Sequence, residues 1–296
     1  MGSLRSIADA LWSFWRRGRK VERAGYAAGA LLLGSGLSHL GILAIRGGSW
    51  EGPLSLRKAA TFGLSFGLTL VTVVWVASFL RLSDRWRSAL LGTFTVACVL
   101  ETVLVSLQVW RGVPSHYNLE TTFDALVART LAAGGAALIA IVIALTLAAF
   151  RANPTVPISL RIAIRIGFVT LVASLIVGAL MIAKGMLLVF AGNPQAAYAT
   201  GGSLKPTHAV TMHAILVLPL LSWLLSFANW SERRRLGVVL LGAAGYVLLA
   251  VVVAVENVAG PTSSKAALAV VAFSGLGVLA LLSAGLLALR GSRRHE

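Results

Sequence analysis

The side chains of this chain that are suited to chemistry gather in one stretch, Glu101 to Asp124, which reads ETVLVSLQVWRGVPSHYNLETTFD. It opens on a carboxylate inside an apolar run and leaves that run through Trp110, Arg111 and Gly112. It then carries His116, Tyr117 and Asn118 through a short loop and brings Glu120 and Asp124 to the start of the next run. Glu101 lies about 15 Å of helical rise before Arg111, near the middle of a membrane span. Gln108 follows Glu101 by two helical turns and so shares its face. A carboxyl at that depth is costly unless it faces a partner or a cavity, and such groups mark proton and ion paths. Glu101, Gln108 and Arg111 are therefore the candidate catalytic or coupling residues.

The histidines make a second set. His39, His116, His208 and His213 fall on or near the same side of the apolar runs as Arg111, whereas His295 is in the C-terminal tail. His39 precedes Arg46, and His213 follows Pro206, by nearly equal helical rises of roughly 10 Å. That match makes His39, His213 and His116 candidate ligands of a cofactor such as a b-type haem, and His39, His213 and His208 candidate ligands of a transition metal. The spacing itself is unspecific. His208 and His213 point about 140° apart on an ideal helix, so they are not a same-face metal pair. They converge only if His208 sits in a loop or cap, which Pro206 and Thr207 favour. His208 and Met212 do share a face and suit a soft metal such as copper.

These placements predict that His39, Glu101 and His213 face one cavity, with Gln108, Arg111 and His116 at its mouth. Blander readings stand beside that one. They are interior histidines with ordinary partners, a structural carboxyl pair at Glu101, an ordered surface turn at Arg111 to His116, and snorkelling lysines at Lys58 and Lys184. The chain has no GxxxxGK[ST] phosphate loop, no Asp-rich prenyl-diphosphate motif, no HExxH and no CxxCH. Nor does a lysine sit mid-span in the last two runs, where a retinal-type Schiff base would need one. The lone cysteine, Cys98, reads as a small core residue.

The elements that must position these groups follow from composition. Of 296 residues 57% are hydrophobic and 12% charged, about half the charged share of a soluble domain. Eight apolar runs of spanning length fall at about 24–45, 59–80, 88–110, 126–149, 164–187, 208–229, 236–256 and 266–289. Seven of the eight prolines lie between or at the edges of runs, and Pro219 alone should kink one. Trp50, Trp86, Trp110 and Trp230 mark run ends, as an aromatic belt does. The fold class predicted is an all-α integral membrane protein, a bundle of about eight transmembrane helices with an N-terminal amphipathic interfacial helix.

The net charge of +16 does not point to nucleic acid, because the basic residues form short clusters between apolar runs, where headgroups and insertion topology explain them. With both termini on one side, the basic residues divide 18 against 8. That bias predicts cytoplasmic N- and C-termini in a multi-pass protein of a cell membrane, the inner membrane in a two-membrane cell. Residues 1–23 form a cytoplasmic basic segment in which Leu4, Ile7, Leu11 and Trp15 make an apolar face, predicted to lie on anionic headgroups. Residues 24–290 form one helical domain, and 291–296 a cytoplasmic tail. Small residues such as Gly63 and Gly67 suit close helix packing.

Three functions stay open on these grounds. The first is a membrane-embedded haem- or metal-dependent oxidoreductase. The second is a proton- or cation-coupled transporter using Glu101. The third is a non-catalytic scaffold. The partners implied are the lipid bilayer, anionic headgroups at the N-terminal segment and, as an open option, a second copy of the chain.

Overall fold

The computed structural model describes residues 2–200, 204–260 and 264–293. It is built from helices α1 (Gly2–Arg17), α2 (Lys20–Arg46), α3 (Leu56–Ala77), α4 (Asp84–Trp110), α5 (Thr122–Phe150) and α6 (Ile158–Phe190). After these come α7 (Pro194–Thr200), α8 (Lys205–Met212), α9 (Ala214–Leu225), α10 (Glu232–Ala259) and α11 (Ser264–Arg293). Eight of these stretches, with α8 and α9 counted as one, are long and apolar enough to cross a membrane. The class is the all-α polytopic bundle that the apolar runs predict.

Most helices begin about one turn before their apolar run. The caps explain this, since a side-chain oxygen accepts an otherwise orphaned N–H of the first turn. Ser55 accepts from Arg57, Ser83 from Trp86, Thr121 from Asp124 and Ser231 from Arg234. The first turns are polar but helical. In α2 the first turn carries one buried acid: Glu22 accepts the Arg19 N–H at 2.8 Å and is 4% exposed, whereas Lys20 and Arg23 are exposed. Helix α11 runs to Arg293.

Helices α2 and α3 pack backbone to backbone. A Cβ on Gly63 would lie 2.6 Å from the Gly36 nitrogen, and one on Gly67 would lie 2.8 Å from the Gly29 carbonyl oxygen. These glycines are therefore contact residues, as the small-residue pattern suggested. One core joins α2 to α6 with α9 through Leu70, Leu91, Leu145 and Phe168, and a second joins α6 and α8 to α11 through Leu218, Val239 and Ala284.

Helix α1 differs from its predicted face. Ile7, Ala10 and Phe14 pack onto the bundle, and the Phe14 ring lies 6.2 Å from Trp75, 5.9 Å from Phe79 and 6.3 Å from Trp223, centroid to centroid. Leu11, Trp12 and Trp15 are left exposed, and the Leu4 side chain lies outside the described residues. An aromatic cluster at the end of the bundle draws the helix round by burying Phe14. The remaining apolar residues face outward, where a lipid interface would meet them.

Candidate functional site at the Trp110 end of the bundle

The last turn of α4 and the first of α5 are tied together by one polar network. Gln108 is fully buried and donates from Nε2 to Asp124 Oδ1 at 2.8 Å. Arg111 donates from Nη1 to the same oxygen at 2.5 Å and to Gln108 Oε1. Thr121 donates from Oγ1 to Asp124 Oδ2 at 2.7 Å and accepts the Asp124 N–H at 3.1 Å. Asp124, 2% exposed, thus sits in a low-dielectric end of the bundle with both oxygens occupied, the condition under which a buried carboxylate is tolerated. The Arg111 guanidinium also covers the Phe123 ring at 4.7 Å. Gln108 and Arg111 are brought together. Their joining residue, Asp124, had been read only as the end of the polar stretch, although an acid three positions after Thr121 at a helix start is a capping signal.

His39 belongs to the same end. Its Nδ1 bonds the Ser35 carbonyl at 2.8 Å and its Nε2 accepts from Trp110 Nε1 at 3.0 Å. A carbonyl can only accept and an indole N–H can only donate, so this pairing defines a neutral imidazole protonated on Nδ1, with both nitrogens in use. Arg46 lies over the other side of Trp110 at 5.5 Å.

The loop between α4 and α5 is strapped over the bundle. His116 Nδ1 meets Ser115 Oγ at 3.0 Å, and its ring lies 5.8 Å from Phe62 of α3. Packing among these groups, and then the neighbouring Lys58 ammonium, hold the His116 pKa well below its ordinary value. Tyr117 donates from its hydroxyl to the Met181 carbonyl of α6 at 3.0 Å, and its ring fills the space a side chain on Gly185 would take. Burial raises its pKa. Tyr117 is the one non-glycine residue at positive φ, +65°, among those described. An aromatic side chain in the left-handed region costs energy that the contacts on α6 must offset.

His208 and His213 have other partners. His208 Nδ1 donates to the Ser174 carbonyl at 2.8 Å, and Ser174 Oγ donates back to the His208 carbonyl at 2.8 Å. Thr207 donates to Asn257 at 2.6 Å. These bonds hold α8 between α6 and α10. His213 is the single residue interrupting α8 and α9, and its carbonyl accepts from Leu216 and Val217. Helix α2 instead packs chiefly on α3 and α4, and no hydrogen bond or ring contact among the described residues joins His39 to His208 or His213. The described residues hold no group of three or more His, Cys, Asp or Glu side chains placed to bind a metal. The expected metal set, His39, His208 and His213, and the expected haem set, His39, His213 and His116, share His39, whose two ring nitrogens are taken by Ser35 and Trp110.

Glu101 stands apart from all of these. It is 5% exposed, faces α5 where a Cβ on Gly134 would come 2.8 Å from its Oε1, and has no hydrogen bond or ion pair among the described residues. Two turns of α4 separate it from Gln108, so the network above is near but does not reach it.

Fold and site together define a polytopic membrane-type helical bundle with a closed polar network at one end and a lone interior carboxyl beneath it. Comparison with protein-family models, with curated proteins and with solved structures finds no match to this chain.

Proposed function

We propose that the protein is a membrane carrier that couples a solute to a proton or small cation, with Glu101 as the group that takes up and releases the coupling ion. One observation carries this reading: the Glu101 side chain is buried within a spanning helix with no hydrogen-bond or ion-pair partner among the described residues. The other buried carboxylates, Glu22 and Asp124, have theirs. A carboxyl kept bare in hydrocarbon holds a proton or waits for a cation, since a free charge there costs several kcal/mol. Gly134 lets the Glu101 carboxyl lie close against α5. The break at His213 and the proline at 219 put a discontinuity in one spanning helix, and carriers build binding sites at such breaks. The basic asymmetry of the loops supports cytoplasmic termini. The oxidoreductase reading is weaker, because both ring nitrogens of His39, which its ligand sets share, are engaged by Ser35 and Trp110.

Dicyclohexylcarbodiimide modifies carboxyls that hold a proton in apolar surroundings. It is expected to label Glu101 in native membranes, with labelling that falls as pH rises and disappears in Glu101→Gln. Protection by an added monovalent cation would assign a cation site, and its absence a proton site. Failure of Glu101 to react at any pH at which the protein stays folded overturns the coupling role.

A further inference from the structure

The opposite end of the bundle has an opening that none of the residues above uses. The α3–α4 connection, the α5–α6 connection and Arg19 line an open cavity of about 780 Å³, within the usual size range of small-ligand sites. Its polar lining includes Arg19, Arg81, Arg87, Ser83, Asn153 and Thr155, and no carboxylate lines it.

The carboxylates nearby are paired with two of the lining arginines. Glu22 accepts from Arg87 Nη1 at 3.3 Å and lies 3.5 Å from Arg19 Nη1, and Asp84 accepts from Arg19 Nε at 2.9 Å. Arg87 is 3% exposed; its Nη1 also donates to the Ala77 carbonyl at 2.6 Å and its Nη2 to the Leu80 carbonyl at 2.8 Å, while its Nε is buried with no acceptor among the described residues. Arg81 gives only Nη1 to the protein, to the Ala152 carbonyl at 3.3 Å. In the adjoining wall, which Arg151 and Arg161 share with Arg81, Arg161 Nε is also buried without an acceptor. The region therefore holds more guanidinium donors than acceptors, in a pocket whose walls are fixed by buried hydrogen bonds.

We propose that this cavity binds a phosphate-type oxyanion, with Arg81 as its principal flexible contact and Arg87 as the rigid cation beneath. A tetrahedral oxyanion is acceptor-only, matches the guanidinium fork and carries the charge the site lacks. Arg81 closes on it from the α3–α4 side, and Asn153 and Thr155 supply neutral contacts from the α5–α6 side. Two sources share this chemistry. One is soluble phosphate or a phosphate ester. The other is a lipid headgroup, which the exposed Leu11, Trp12 and Trp15 of the neighbouring α1 would hold at the right depth. The site does not depend on the role of Glu101.

The test uses the full chain purified in neutral detergent. Inorganic phosphate is titrated by calorimetry, and retention of phosphatidylglycerol against phosphatidylcholine is read by native mass spectrometry. Binding in the first arm assigns a soluble anion, and selective retention in the second alone assigns a headgroup. Arg81→Gln is expected to weaken whichever binding occurs by about tenfold or more, the loss of one charge-assisted contact. Thr155→Val, which keeps every charge, should weaken it less. Arg234→Gln removes the same charge from an arginine that covers Trp230 and does not line the cavity, and it should leave binding unchanged. No binding in either arm, or equal losses in Arg81→Gln and Arg234→Gln, overturns the proposal.

Discussion

At the Trp110 end of the bundle the buried anion Asp124 has each oxygen met by a donor, and the donors Gln108, Arg111 and Thr121 close on one another. At the other end the buried cation Arg87 is met by Glu22 and two carbonyls but keeps an unmatched Nε beside an open cavity. The first arrangement is saturated and ties α4 to α5. The second is short of acceptors and leaves room for one. A polar cluster in an apolar protein is therefore not by itself a binding site. What separates a lock from a site is whether its donors and acceptors balance without a ligand. Glu101 lies between the two ends and follows neither pattern, which is why it carries the functional reading.

The comparison breaks most visibly at Arg87. Arg87→Leu leaves Glu22 buried without its buried cation, with only the half-exposed Arg19 near it, and is expected to cost about 3 kcal/mol. The check is thermal unfolding in detergent, and adding Glu22→Gln should restore much of the loss. Asp124→Ala is expected to cost about 2–3 kcal/mol, because Gln108, fully buried, loses its acceptor. Arg111→Ala should cost less, since that side chain is 36% exposed and water can replace part of what it gives. Equal losses in the two variants would show that the network is not centred on Asp124.

A smaller effect sharpens the reading of His39. Trp110→Phe keeps the ring and removes the N–H bonded to His39, for an expected loss of about 1 kcal/mol. If the melting temperature does not move, His39 is free to bind elsewhere and the neutral tautomer assigned to it is wrong. The smallest effect is local to the α4–α5 loop. His116, whose pKa is held below its ordinary 6.5, is neutral when the loop is strapped down and takes a proton more readily when the loop opens. The closed loop is therefore fully favoured above pH 6.5 and loosens as pH falls below it. Hydrogen exchange of residues 112–121 should rise on acidification, and His116→Phe should flatten that dependence.

Some of this was legible in the chain as written. The eight spans, the aromatic ends, the contact role of Gly63 and Gly67 and the shared face of Glu101 and Gln108 follow from hydropathy, helical period and residue size. Those are local properties that need no partner helix. Helix starts were read late because polar first turns are invisible to a hydropathy window, although Ser83 and Thr121 are cap residues in plain view. What the sequence could not carry is which residues from distant helices meet. Equal depth suggested that His39 and His213 join, but depth is only one coordinate. The angular order of the helices put His39 against Trp110 and left His213 at a break between α8 and α9. Phe14 turned α1 away from its predicted face because three aromatic rings from α3, its following turn and α9 converge there. The cavity at the arginine-rich end is made of residues from loops more than 60 positions apart. Composition and period determine that eight stretches of this chain are long and apolar enough to span a membrane and which of their faces are polar, because these are properties of each helix on its own. Only the packing of helix against helix decides which polar groups satisfy one another and which are left open.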